Sequence, residues 1–572
     1  MSGDKLPQSS PHVCASGCDC GDSHGPTRVT QEGDPQNREE GADISRRGFL
    51  GGTAFGIAAA TSVAATMMTG QGVDAAPPDH VGQKGPPPHA GNKNRVLLKG
   101  GIVLSLDPAV GDFERADVLV EGKKIVAVQP NINAHARVVD CKGMIVMPGF
   151  VNTHHHQYQT LARGIIADGV HIRGSQWPLQ TYSSIVQDHW TSGRATTPSG
   201  DVVLELGGSP LRPEDNYISE LVASLSQINA GVTTGVDTSQ ASHSPEYTDA
   251  MIQGIIDSGR RTLFAYSGGR SDTPGYEYPG AIGNTTSGIG RLKTTYFSSD
   301  DQVVKLGLGG GINASSIQLA RHFEAPVIAH SFDSANAAAL AANEALLGDD
   351  ITLIHTTRYS DATYAIIART GCHVSLAVPI EMQMQHGMPP IQQAREHGIL
   401  PSLSSDTEAN MTADMFTIMR HAFNLQRALM NERVIRENDP SLMAKLVTCE
   451  EVLRMATIAG AKAAGFGDKV GSLTPGKEAD IIVLDATRIN CMPLNNVHGA
   501  VVTLMDTSNV RHVMIAGEFK KWEFELIGWN EDKLRREIEK SRDRVLATLK
   551  AGNPAYLAPF IGSCCSHSYQ GL

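Results

Sequence analysis

Pro148-Gly149-Phe150-Val151-Asn152-Thr153-His154-His155-His156 is the stretch from which the rest of the chain is read. A short apolar run follows a Pro-Gly turn and ends in three histidines. On an extended segment successive side chains face opposite sides, so His154 and His156 point one way and His155 the other. Two imidazoles on the same side of one strand end can share a metal ion. His-x-His alone is a common pattern. Its weight here comes from how the downstream sequence repeats it.

Eight short apolar runs suited to β-strands follow one another at 150–154, 231–237, 261–266, 303–307, 326–330, 351–355, 373–377 and 401–405, with helical stretches between them. That alternation predicts βα units and a closed parallel barrel. Several runs end in a polar or ionisable residue: His154, Asp237, His330, His355 and, one step on, Asp406. In such barrels the chemistry sits at the carboxyl ends of the strands. His154, His156 and His330 with Asp406 make a set of three nitrogens and one oxygen. The set suits one divalent ion, Zn2+ or Fe2+ first and Mn2+ as a further option, with a position left for water. Such an ion lowers the pKa of water to about 7. Gln157, directly after the histidines, is a candidate for lining the substrate pocket.

Working outward, two β-rich segments flank the barrel region of 149–465. They run over 94–148, where Gly122 marks a hairpin turn, and over 466–527. The expected fold is therefore α/β: a (β/α)8 TIM barrel with a small β-sandwich built from both chain ends. A helix is expected over 531–550 within the C-terminal segment 528–572. Two long excursions, 161–219 and 268–299, leave the catalytic face and read as lid and specificity elements.

The beginning of the chain differs in character. Residues 1–44 are polar and rich in Gly, Ser, Asp and Pro. Ser45-Arg46-Arg47-Gly48-Phe49-Leu50 then opens a weakly apolar run that is too short and too rich in Gly, Ala and Thr to span a bilayer. Paired arginines before such a run resemble a twin-arginine export signal. The expectation is a leader with signal over 1–76, a Pro/Gly linker over 77–93, and a periplasmic or extracellular protein with no membrane span after signal removal.

Composition adds exclusions. The 572 residues carry 48 Lys+Arg against 60 Asp+Glu, a net charge of −12, which argues against nucleic acid or an anionic membrane as the main partner. Of nine cysteines, Cys141, Cys372, Cys449 and Cys491 are isolated within the body, and no spacing reads as a disulfide framework or a cysteine zinc site. The chain shows neither a Gly-x-Ser-x-Gly elbow in strand–turn–helix context nor a phosphate-binding loop.

The run Pro148–His156 resembles the first-strand signature of the amidohydrolase superfamily, and Gly471-Ser-Leu-Thr-Pro-Gly-Lys-Glu-Ala-Asp480-Ile-Ile-Val-Leu-Asp485 resembles its C-terminal signature. The resemblance covers about residues 95–525 and is strongest to the branch of cytosine and guanine deaminases and triazine hydrolases. It implies that His154, His156, His330 and Asp406 hold one metal, that Asp406 accepts a proton from water, and that His355 orients the nucleophile or polarises the electrophile. In that branch a Glu stands three residues after the fifth-strand His and shuttles protons; here His330-Ser-Phe-Asp333 offers Asp333 instead, a carboxylate on a shorter stem. The resemblance also makes Glu381 and His386, after the seventh strand, candidate substrate contacts. Relatives with two metals bridge them by a carboxylated lysine on the fourth strand, where this chain has Lys305.

The expected function is hydrolysis at a carbon–nitrogen bond of a small N-heterocycle, urea or cyclic amide, in a homo-oligomer acting on a small molecule. Two alternatives stand beside it: a binuclear amidase or lactonase using Lys305, and a catalytically inactive secreted binding protein.

Overall fold

The computed structural model describes residues 94–553 apart from 168, 171–182, 197–201 and 269–277, together with Pro87. The expected leader, export signal and linker, parts of both excursions and the tail after 553 lie outside the described residues.

All eight expected strands form, with bounds shifted by at most a few residues. They are β1 (Phe150–His155), β2 (Val232–Ser239), β3 (Arg261–Tyr266), β4 (Val304–Gly309), β5 (Val327–Ser331), β6 (Ile351–His355), β7 (His373–Leu376) and β8 (Ser402–Leu403). They pair in parallel in chain order, β1 to β8. The ring closes through a bridge between His155 and Asp406. There the Asp406 amide donates to the His154 carbonyl at 2.9 Å and the His156 amide donates to the Asp406 carbonyl at 2.7 Å. Barrel closure thus holds the histidine run and Asp406 in register.

These strands are nearly all apolar because both of their faces are covered. Val151, Val236, Leu263, Ala265, Ile328 and Ile354 pack inward as one cluster with Ala461, Ala464, Phe466 and Val470. Phe150, Phe264, Val327 and Leu353 pack in the main core with the surrounding helices. This packed interior leaves the carboxyl ends of the strands as the place where polar side chains can converge.

Five helices matter for the site and its support: α1 (Pro213–Asn229), α2 (Ser334–Ala342), α3 (Val378–Gln383), α4 (Met415–Glu437) and α5 (Glu531–Gly552). The first excursion ends earlier than expected, because α1 begins at Pro213, with Pro in the first helical turn where its missing N–H costs nothing. The C-terminal helix α5 packs on the barrel: Val545 and Leu549 are buried in the main core, and Arg544 donates to the Pro210 carbonyl at 2.7 Å and pairs with Asp215 of α1. Among the described residues no helix is long and apolar enough to cross a membrane.

The two β-rich ends join in one nine-stranded mixed sheet, the seam being the antiparallel pairing of Ile481–Asp485 with Met144–Pro148. The expected sandwich is therefore a single hydrogen-bonded sheet rather than two separate ones. It still encloses a core of its own: Val96, Val118 and Ile125 from the first segment share a cluster with Ile481, Met514 and Trp522 from the second. The alternate residues Ile145, Met147 and Ile482 face the main core instead.

Candidate metal centre

His154 and His156 leave β1 on the same side, as the alternation requires. The Nε2 atoms of both lie 3.2 Å from Oδ1 of Asp406. His330, at the end of β5, stands against them, its ring centroid 4.8 Å from that of His154 and stacked at 5.4 Å on that of His156. His355, at the end of β6, approaches from the other side, with Nε2 3.6 Å from Oδ2 of Asp406. The expected ligands His154, His156, His330 and Asp406 are thus brought together with His355, while Asp237, the other strand-end residue, is outside this cluster.

Support for each side chain comes from elements far apart in sequence. His154 Nδ1 is bonded to the Thr238 hydroxyl at 2.9 Å, which directs Nε2 at Asp406. The Asn152 amide donates to the Ser405 hydroxyl at 2.7 Å and its carbonyl accepts from the Ser405 backbone at 3.0 Å, tying β1 to the residue before Asp406. His155 faces away: Nδ1 meets the Gln227 amide of α1 at 2.6 Å, and Nε2 lies 3.6 Å from Glu408. His355, Thr356 and Asp406 have φ of 74°, 50° and 60°. Left-handed backbone at residues with a β-carbon costs about 1–3 kcal/mol each and concentrates at functional sites.

Electrostatics fits a cation. Burial pushes His154 down to about 4, against the pull of Asp406, and burial together with the neighbouring imidazoles holds His330 well below the usual range. These rings are therefore neutral near pH 7 and keep a lone pair for a metal. Burial alone would raise Asp406, but the adjacent histidines outweigh it and keep the carboxylate ionised. His154 Nε2 is fully buried and makes no hydrogen bond. Potential ligand atoms of His154, His156 and Asp406 lie within 4.8 Å of one another, as do those of His154, His330 and His355, and this cluster of imidazoles and a carboxylate fits a divalent ion of the zinc type.

The remaining expected residues fare differently. Glu381, on α3, is 2% exposed and does not reach outward to a substrate; it accepts from His355 Nδ1 at 3.1 Å and from the Ala377 amide at 2.9 Å. Its side chain thus faces His355. Burial opposes protonation of His355, yet the Glu381 bond and the Asp406 charge outweigh it and raise its pKa. His386 does reach the site, its ring centroid 4.5 Å from that of His355.

Three expectations are corrected. Gln157 is fully buried, and its amide is taken up by Glu220 at 2.7 Å and Arg260 at 2.6 Å in the layer beneath α1. Asp333 is exposed and caps α2, accepting from the Asn336 amide at 2.8 Å. The run Asp333-Ser-Ala-Asn336 is a capping box, a local signal that competes with the catalytic reading of that carboxylate. Lys305 sits near the amino end of β4, 3.7 Å from Asp300 and over the Phe466 ring, so it bridges nothing at the histidines.

Thr238, Gln227 and Phe332 were missed. Thr238 lies one step past the expected end of β2. Gln227 is one polar residue among several on α1. Phe332 stands between the two residues that drew attention, with its ring 5.7 Å from His355 and 5.3 Å from His386.

Comparison with known proteins agrees with this geometry. Residues 145–520 match the amidohydrolase family. The chain is 24% identical over 480 residues to a 5'-deoxyadenosine deaminase of Methanosarcina barkeri, covering 80% of this chain and 99% of that one. An adenosine deaminase from Xanthomonas campestris with bound zinc superposes with a TM-score of 0.64 at 22% identity, covering 81% of this chain and all of that one (100%). The atrazine chlorohydrolase of Arthrobacter aurescens complexed with zinc gives 0.62 at 19%, over 78% of this chain and 100% of that one.

Proposed function

The chain belongs to the amidohydrolase family and is a metal-dependent hydrolase of carbon–nitrogen bonds; from that premise we propose that it is a zinc enzyme that removes the exocyclic amino group of an adenine-type nucleoside. The observation that carries the reading is the convergence of His154, His156 and His355 on the two oxygens of Asp406, with His330 packed against His154 and His156. The names of the relatives, deaminases of 5'-deoxyadenosine and of adenosine, support the substrate class.

His154, His156, His330 and Asp406 would hold the ion. When bound, it supplies Lewis acidity and brings the pKa of water to about 7. Asp406 takes one proton from the attacking water at Oδ2, the oxygen that faces His355. His355, held through Nδ1 by Glu381, directs Nε2 at the attacking oxygen and orients it, while the electron pair of the ring C=N bond moves onto the ring nitrogen, to return as the amino group leaves. The C–N bond then breaks. The proton held by Asp406 passes to the departing nitrogen, which leaves as ammonia. Asp333, spent on capping α2, has no part in this scheme.

The test is ammonia release from adenosine and 5'-deoxyadenosine by the Zn2+-loaded chain, with a chelator-stripped control. Release that vanishes on stripping and returns with Zn2+ is expected. No ammonia from any adenine nucleoside at full metal loading would overturn the substrate class. We further propose that Arg46-Arg47 and the run after them direct export; retention of the full chain in the cytoplasmic fraction would refute this.

A further inference from the structure

The proposed reaction moves an electron pair onto the ring nitrogen beside the carbon under attack. Charge that develops there is stabilised by a donor already aimed at it. Asp333, the carboxylate that the sequence offers for this task, is exposed and caps α2. We propose that His386 is a catalytic residue that donates an N–H hydrogen bond to this ring nitrogen as it takes on charge. This inference rests on the proposed deaminase reading.

His386 stands where such a donor is needed. One of its ring nitrogens lies within 4.8 Å of atoms of both His355 and Asp406, the two groups that handle the attacking oxygen, and all three residues are buried. Its ring centroid is 4.5 Å from that of His355. The ring nitrogen is one bond, about 1.3 Å, from the carbon that the oxygen attacks, so its donor has to stand close to the same two groups. Other polar side chains around β5 and β6 are engaged. The Ser331 hydroxyl is bonded to that of Tyr359 at 2.7 Å and the Thr356 hydroxyl to that of Tyr364 at 2.8 Å, while Glu381 accepts from His355 Nδ1 at 3.1 Å. An imidazole carries at least one N–H in either charge state. It therefore donates without giving up a proton, and the proton balance of the proposed reaction is unchanged.

The loop that carries His386 is built to hold it there. The His386 carbonyl accepts from the Thr357 hydroxyl at 2.6 Å and from Arg358 Nε at 2.8 Å, which ties it to the loop that follows His355. The chain enters and leaves it by left-handed turns, with φ of 60° at Gln385 and 118° at Gly387. A β-carbon at Gly387 would come within 3.1 Å of Thr357 and 3.0 Å of Arg358, so glycine is what lets this loop close down on the site. The Phe332 ring flanks both histidines, 5.3 Å from His386 and 5.7 Å from His355. Its apolar face keeps water off that side, and a hydrogen bond is electrostatically stronger in such surroundings.

The experiment is steady-state ammonia release from adenosine and 5'-deoxyadenosine by the Zn2+-loaded full chain and by His386→Ala, His386→Phe, His386→Asn and His386→Gln, with bound zinc and thermal melting measured on each. The second variant keeps a ring and removes the donor. The last two place an amide N–H near the positions of Nδ1 and Nε2. His386→Ala and His386→Phe should each lower kcat by about 10^2–10^3-fold, the cost of removing one preorganised donor, with KM changed by less than about threefold and zinc bound as in the unaltered chain. One of the two amide variants should regain at least about tenfold of that loss. An unchanged kcat in folded His386→Phe, a loss confined to KM, a loss of zinc in step with activity, or no recovery in either amide variant overturns the role of His386 alone. No ammonia from any adenine nucleoside with the unaltered chain overturns the deaminase reading, and this inference with it.

Discussion

The histidine cluster at the carboxyl ends of the barrel strands and the Arg261 clamp near their amino ends are both buried and both polar, yet they are built on opposite rules. Arg261, the first residue of β3, is fully buried and donates to Asp480 at 2.9 and 3.0 Å and to Glu478 at 2.6 Å. Burial opposes its charge, but the two carboxylates outweigh this and raise its pKa. Asp480 also accepts from the Ala516 amide at 2.8 Å, so the clamp rivets the barrel to the end sheet. Nε and Nη2 of the cation answer the two carboxylates there, while Nη1 finds no hydrogen bond among the described residues. At the other end four imidazoles face one carboxylate, and a buried nitrogen is left without a hydrogen bond. A buried polar group with its partner in place reads as structure, and one whose partners are all of the same kind reads as a site.

The contrast can be broken at several points. The largest effect is expected at the cluster. His154→Ala or Asp406→Ala should lower turnover by about 10^3-fold or more, since a bound ion contributes several kcal/mol to the reaction, and chelation should do the same. Steady-state ammonia release measures it, and activity surviving in either variant would remove the cluster from the chemistry. Arg261→Met should do the reverse. It leaves Glu478 and Asp480 buried without their cation, costing about 3–5 kcal/mol in denaturant unfolding, while turnover per folded molecule stays the same.

Glu381→Gln falls between the two. It removes the carboxylate that holds His355 and should cost about 10–100-fold in kcat with little loss of stability. An unchanged kcat would show that His355 needs no such support.

A second buried cation sharpens the comparison. Lys521 is 3% exposed, and its ammonium donates to a carbonyl, that of Asn229, at 2.8 Å. Burial pushes its pKa from 10.5 down to about 8. Between those two values the unfolded chain holds the proton and the folded chain has released it. Stability should therefore rise with pH across that window, by up to about 1.4 kcal/mol per pH unit. Chemical denaturation at pH 8 and pH 10 measures this slope. In Lys521→Met this contribution to it should vanish. The smallest effect is expected at Asp333→Ala, which removes the cap of α2 for about 1 kcal/mol of stability and leaves turnover within about twofold. Loss of turnover at this position would return Asp333 to the reaction.

Asp333 also shows where reading the sequence stops. A carboxylate three residues after a strand-end histidine satisfies a catalytic pattern and, with Asn336 three further on, a capping pattern. Both are local, and only the path of α2 chooses between them. Gln157 fails for a different reason. Its neighbours Glu220 and Arg260 come from a helix and a turn 63 and 103 residues away, and nothing in the linear pattern announces them. The eight strands were legible because full burial on both faces demands near-continuous apolar runs of a length that punctuating turns reveal.

By itself, then, the sequence determined the alternation that makes a barrel, the parity that puts His154 and His156 on one side and His155 on the other, and the ionisable residues at successive strand ends. Those features follow from chain periodicity, which needs no knowledge of distant contacts. The tertiary structure alone decided which oxygen of Asp406 meets which histidine, that Glu381 serves His355, that His386 folds back onto the same carboxylate, and that Lys305 lies at the wrong end of its strand. Each of those depends on barrel closure and on loops crossing between strands, and such proximity is set by the packing of the whole ring.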